Sequence, residues 1–191
     1  EVASRAESLY SRVNLAPAQP EVYVECARLL QRLERRQDAI EVLIAGAAQH
    51  EDPVVLRPLG MAFAEVGRKE EARETWQRVL AVDPGDYDGH NNLGVLLQEA
   101  GRLGEAIESL RRAAQIDPRN ASAINNLGVA LAEARRLDES IACYRRALTL
   151  SPDFTIAWNN MGNALRGLGQ SEEAAVALKT AIRLRPARCS A

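Results

Sequence analysis

The stretch Tyr87–Asn120, YDGHNNLGVLLQEAGRLGEAIESLRRAAQIDPRN, decides the fold because it returns. Thirty-four residues on, Ala121–Phe154 reads ASAINNLGVALAEARRLDESIACYRRALTLSPDF, and Thr155 onward reads TIAWNNMGNALRGLGQSEEAAVALKTAIRLRP. Upstream, Pro53–Asp86 keeps the same frame in a more diverged form. A fixed period in this range, holding two helical patterns, marks stacked helix pairs. One pair cannot bury its own apolar face, so function must be sought on the surface that stacking creates.

The recurring places are those that packing selects. Counting each unit from its first residue, Gly60, Gly94, Gly128 and Gly162 fill the eighth place, where a missing side chain lets two helices approach. Ala72, Ala106, Ser140 and Ala174 hold the twentieth, across the same contact. Larger residues fill the space beside them: Leu59, Leu93, Leu127 and Met161 at the seventh place, Trp76, Leu110, Tyr144 and Leu178 at the twenty-fourth. Pro84, Pro118, Pro152 and Pro186 follow the second helix, since proline cannot supply the next helical N–H. Gly67, Gly101 and Gly169 fall just past the first helix, where a left-handed residue closes the turn; Arg135 takes that place in the third clean unit, at a cost of roughly 1 kcal/mol.

On these residues the chain resembles the tetratricopeptide repeat: Leu93, Gly94, Ala106, Leu110, Ala113 and Pro118 all match that family's pattern. The resemblance covers residues 20–186 well and the first nineteen loosely. It implies an all-α, right-handed superhelical solenoid of antiparallel helix pairs with a concave, ligand-binding inner face. In the family that face is lined by first-helix places two, five, six, nine, twelve and thirteen, which form adjacent lines because seven residues make almost two turns. Here they carry Asn91, Asn92, Gln98 and Glu99, then Asn125, Asn126 and Glu133, then Asn159, Asn160, Asn163 and Arg166. A primary amide offers donors and an acceptor that match an extended peptide backbone. Two readings of the asparagines stand side by side: they hold a peptide main chain, or they bridge neighbouring helices.

The asparagine ladder is similar to that of the repeat region of O-linked N-acetylglucosamine transferase, which makes a substrate-recruiting arm of a multidomain enzyme an alternative; no transferase catalytic domain is present in the sequence. The chaperone carboxylate clamp of the same family is disfavoured, because Val95, Ser122 and Asn126 stand where an asparagine, a lysine and an arginine would be needed. Arg57 and Arg166 flank a middle carrying Glu99 and Glu133, so a bound segment is expected to place a basic residue near the centre.

Composition sets bounds. With 47% hydrophobic and 26% charged residues this is an ordinary globular chain, not a disordered one. Its 24 basic and 26 acidic residues nearly cancel, so no strong field points to nucleic acid or an anionic membrane. Glu99 and Glu133 argue further against a groove that reads RNA. No apolar run is long enough for a membrane span and no signal peptide is seen. Cys26, Cys143 and Cys189 are odd in number, widely separated and lack metal-ligand spacing, which favours packing roles and a reducing, cytoplasmic setting. Of the two histidines, His90 takes the fourth place, where Ile124 and Trp158 stand later, and is expected in the repeat seam. His50 ends a second helix, where its charge suits the dipole. No acid, base and nucleophile converge at helical spacing, so neither an enzyme nor a cofactor or metal site is expected.

In chain order, residues 1–19 read as the second helix of a cut repeat, with Leu9 and Leu15 at core places, Arg12 where a small residue is usual, and Pro17 ending it. Glu1 opens inside a repeat, as a piece of a longer protein would. Residues 20–52 read as a degenerate unit with Ala27 for the tight glycine, Gly46 for the second small residue, and Glu51 where proline would be; Leu30, Ala39 and Leu43 still fit. Units follow at 53–86, 87–120, 121–154 and 155–186, then a tail at 187–191 without helical pattern. Pro58 sits five residues into its helix, which implies a start near Val55 or else a kink. Three functions follow: a scaffold for an extended protein segment, an enzyme's recruiting arm, or a module that self-associates through uncapped ends.

Overall fold

The computed structural model describes residues 2–15 and 18–184, with the side chains of Asn14 and Leu15 left out. Glu1, Pro17, Pro186, Cys189, the tail and the expected core role of Leu15 lie outside the described residues. Those residues form eleven helices and no strand: α1 (Val2–Leu15), α2 (Pro20–Arg32), α3 (Arg36–Gln49), α4 (Pro53–Glu65), α5 (Lys69–Val82), α6 (Tyr87–Glu99), α7 (Leu103–Ile116), α8 (Ala121–Glu133), α9 (Leu137–Leu150), α10 (Thr155–Gly167) and α11 (Ser171–Leu184). The chain divides into two compact units, Glu1–Leu93 and Gly94–Ala191.

In the N-terminal unit α2 packs on α3 and α4 on α5, while α3 and α2 both meet α4. The turns between paired helices are short because a left-handed residue closes them. Glu34 (φ 61°) and Gly67 (φ 79°) occupy that place, and the next residue in each turn bonds back to the helix: Arg35 N–H to Leu30 O and Arg68 N–H to Phe63 O, both 2.9 Å. Trp76, Tyr23, Leu30, Leu43 and Leu56 are fully buried between the helices.

Three sequence expectations change here. In α1 the buried side chains are Ala6 and Val13, with Leu9 half-buried, so the core register differs from the one built on Leu9 and Leu15, and the small residue is Ala6 rather than the place of exposed Arg12. Arg35 holds α1 from above, stacked 5.6 Å over Tyr10 and ion-paired with Glu7. α4 begins at Pro53, not near Val55: Asp52 caps it, its carboxylate accepting from Val54 N–H at 2.8 Å. Pro58 therefore lies beyond the first turn and deletes an interior hydrogen bond. Glu51, in the place of the usual proline, clamps Arg78 at 2.6 Å, and that guanidinium also donates to Ala47 O. This hydrogen bond holds the Glu51 carboxyl below its ordinary range.

The C-terminal unit repeats the plan, with α7 on α8, α8 on α9, α9 on α10 and α10 on α11. Gly101, Arg135 and Gly169 are its left-handed closures, with φ 73°, 62° and 78°. Its core runs through Leu110, Ile124, Leu131, Tyr144, Met161 and Leu165. What sets the spacing of each pair is the eighth-place glycine. A Cβ there would lie 2.8 Å from Trp76 at Gly60, 2.6 Å from Leu110 at Gly94, 2.6 Å from Tyr144 at Gly128 and 2.7 Å from Leu178 at Gly162. In the α2–α3 pair the relation is inverted: Ala27 takes the glycine's place on the first helix, and a Cβ on Gly46 of the second would lie 2.8 Å from the Tyr23 ring.

Gly128→Ala is expected to destabilise the C-terminal unit by roughly 1–3 kcal/mol, because the Tyr144 ring is enclosed and cannot retreat. Amide exchange should quicken most in α8 and α9. Equal loss of protection in every helix would contradict a locally set spacing.

Candidate functional site

The amides expected on the open side of the first helices do different work at different places. In the N-terminal unit Asn91 and Asn92 are half-buried, and Asn92 Nδ2 donates 2.8 Å back to Asp88 O within its own helix. In the C-terminal unit Asn125 is 5% exposed and its Oδ1 accepts from Asn160 Nδ2 at 3.2 Å. That bond joins α8 to α10, so for this pair the structure favours helix bridging. Asn126 is half-buried and, like Asn91 and Glu99, holds an interaction within the protein. Asn159 is half-buried with no side-chain hydrogen bond among the described residues. Asn163 is exposed and accepts from Arg166 at 3.0 Å, while Gln98 donates to Glu133 at 2.8 Å.

Arg57 does not stand ready for a ligand. Its Nε lies 2.6 Å from the carboxylate of Asp86, whose side chain is 3% exposed and which also accepts from Gly89 N–H at 2.6 Å. The Arg57 contact is an ion pair whose N–H is not aligned as a hydrogen bond. Sequence reasoning counted Arg57 as a free groove cation because the partner sits 29 residues away, in the loop before α6.

A second surface was missed. In the N-terminal unit the same places on α2 and α4 carry Val24, Val54, Pro58 and Met61, which line an open groove with Glu65 and Asp88. Val54 and Met61 are 40% and 53% exposed. The signal was available at place six, where residues 53–86 carry Pro58 and the later units carry Asn92, Asn126 and Asn160.

The remaining candidates are structural. His90 Nε2 lies 3.0 Å from Pro84 O, and a carbonyl only accepts, so that nitrogen carries the proton. Trp158 at the same place donates to Pro152 O at 2.8 Å. His50 caps α3 through its backbone, and its ring donates from Nε2 to Ala18 O at 2.7 Å. Burial pushes the Cys26 thiol up to about 11 and raises that of Cys143, which leaves both protonated and poorly nucleophilic at neutral pH. Among the described residues no group of three or more His, Cys, Asp or Glu is placed to hold a metal ion, and no helix is long and apolar enough to cross a membrane.

Helix pairs closed by left-handed turns and spaced by an eighth-place glycine define a helical-repeat protein. Three family models, each described as a tetratricopeptide repeat, match residues 57–121, 121–154 and 143–175, together more than half of the chain. The chain belongs to the tetratricopeptide-repeat proteins. Among solved structures it is similar to MamA from Desulfovibrio magneticus RS-1, residues 41 to the end, at 21% identity and TM-score 0.82, over 90% of this chain and 97% of that one. It is also similar to YrrB, described as a TPR protein with an unusual peptide-binding site, at 20% identity and TM-score 0.80, over 96% and 95%. A structure of MamA AMB-1 is 26% identical with TM-score 0.72, over 85% and 96%. No curated protein sequence is matched.

Asn160→Ala is expected to lower the stability of the C-terminal unit by about 1–3 kcal/mol, since it strands the buried Asn125 amide oxygen. Thermal unfolding measures it. An unchanged melting profile would show that the bridge contributes nothing to folding.

Proposed function

We propose that the protein is a non-catalytic scaffold that binds an extended segment of another protein along the face of its first helices. The observation that carries this is the row of amides on α10: Asn159 and Asn163 lie on one face at solvent-accessible places, one turn apart, beside Arg166. Amides in that spacing can exchange their water or intramolecular partners for a peptide's N–H and C=O groups. The likeness to YrrB, a peptide-binding repeat protein by its description, supports the same reading. The bridging pair Asn125–Asn160 belongs to the framework beneath the ligand, and the face proper consists of Asn126, Asn159, Asn163 and Arg166 with Glu133. With Arg57 neutralised by Asp86, the acidic side chains Glu99 and Glu133 keep the preference for a basic residue in the ligand.

Screening the intact chain against a library of unstructured dodecapeptides tests this. The Asn159→Ala/Asn163→Ala variant should lose roughly 1–3 kcal/mol of affinity for the selected peptides if two hydrogen bonds of ordinary strength go, with little change in melting. Undiminished affinity would remove the amide row from the binding face.

Self-association is a second reading, favoured by one observation. Ile182 on α11 is 69% exposed, whereas Ala114 and Leu148 at the same place on α7 and α9 are 5% and 7% exposed beneath the next helix. If that face joins two copies, light scattering should show concentration-dependent mass that Ile182→Lys abolishes. A constant monomer mass up to high concentration would eliminate it.

A further inference from the structure

The apolar groove of the N-terminal unit contains a backbone acceptor that the sequence itself has set free. In an α-helix the carbonyl of residue i points along the axis to the N–H of residue i+4. At Val54 that partner would be residue 58, which is proline and has no N–H. Pro58 is the sixth residue of α4, so this is an interior vacancy and not one of the ordinary open groups at a helix start. Both ends of the missing bond, Val54 and Pro58, line the groove. Around it the surface is apolar, formed by Val24, Val54, Pro58 and Met61, and two of these are well exposed. A carbonyl in such surroundings gains more from a donor than one facing bulk water does.

The charges decide what kind of donor arrives. Four charged side chains line the groove. Arg57 is neutralised by Asp86, and Arg28 lies 3.4 Å from Glu25, a carboxylate that Arg5 shares at 3.3 Å; neither acidic partner is in the lining. Glu65 and Asp88 outweigh the half-compensated Arg28, which leaves the lining negative. Glu65 is at the C-terminal end of α4 and Asp88 in the first turn of α6. We infer that this groove binds an extended peptide that places one apolar side chain on Pro58 and Met61, donates one backbone N–H to the Val54 carbonyl, and carries a lysine or arginine toward Glu65 or Asp88. This rests on the scaffold reading and adds a second subsite to it, of different chemistry from the amide row.

The test uses the intact chain and fluorescein-labelled nonapeptides in a Ser/Ala/Gly host, each with a central Leu and one Lys two to four residues to either side. Binding is followed by anisotropy. Leu→Ser or Lys→Glu in the peptide should reduce affinity, as should Met61→Lys or Glu65→Lys in the protein. All of these protein changes are at exposed places and should leave the melting profile intact. Affinity should also fall as salt is raised.

The decisive variant is Pro58→Ala, which returns an N–H to the Val54 carbonyl. It should raise thermal stability, because an interior proline is replaced by the best helix former. Yet it should weaken peptide binding several-fold. N-methylating each peptide amide in turn should find one position that costs the wild-type complex several-fold and costs Pro58→Ala nothing. If every N-methylation has the same effect on both proteins, the carbonyl is not a ligand acceptor and the inference is overturned. If binding is abolished by Asn159→Ala/Asn163→Ala and untouched by Met61→Lys, the inference fails while the scaffold reading stands. If no peptide from this set or the dodecapeptide library binds, both fail.

Discussion

Each helix pair depends on one contact, a glycine on the first helix beneath a large side chain on the second. Gly60 under Trp76, Gly94 against Leu110, Gly128 under Tyr144 and Gly162 against Leu178 all leave less room than a methyl group requires. Removing one Cβ lets the two backbones draw together, and the large residue fills what remains with no cavity. The size of that residue varies freely from Leu to Trp because the glycine fixes the approach, not the filler. The α2–α3 pair shows that the rule concerns the contact and not the position. There the glycine has crossed to the second helix and the bulk, Tyr23, to the first.

Contacts of this kind were legible because they are local and repeat. The eighth-place glycines, the bulky partners and the left-handed Arg135 could all be placed by counting. Glu34 escaped because the degenerate unit is one residue short and its closing residue carries no glycine to advertise it. α1 escaped for a related reason. Its register rested on a short stretch of fourteen residues, in which Ala6 and Val13, seven apart, are the pair that share one face. At α4 a late start near Val55 was weighed against a kink at Pro58, and Asp52 with Pro53 settled the start: a capping carboxylate and a proline at the first position fix it whatever follows.

The face was less legible than the fold, because a side chain's role there depends on residues a full repeat away. Asn125 and Asn159 occupy the same place in successive units. One is buried and bonded to Asn160, the other is half-exposed without such a bond. No property of asparagine distinguishes them; the difference is whether another first helix presents an amide at the right height. Arg57 is the same case in charge. It reads as a cation at a ligand-facing place, and it is consumed by a buried carboxylate that caps the entry to α6.

Spacing and recognition are thereby assigned to different atoms. The glycine contact lies between the helices of a pair, so residues on the open side of a first helix can change without altering how the pair is spaced. This is why α4 can present Val54, Pro58 and Met61 where α10 presents Ile156, Asn160 and Asn163, while Gly60 and Gly162 keep the same relation to their partners. Pro58 carries the point furthest. A proline inside a helix ordinarily costs several kcal/mol, about 3 by host–guest measure. α4 persists because Val55, Leu56, Leu59 and Phe63 are buried on its other side, and burying side chains of this size contributes about 1.5–3 kcal/mol each. The core of the pair holds the helix together while its open side gives up a hydrogen bond.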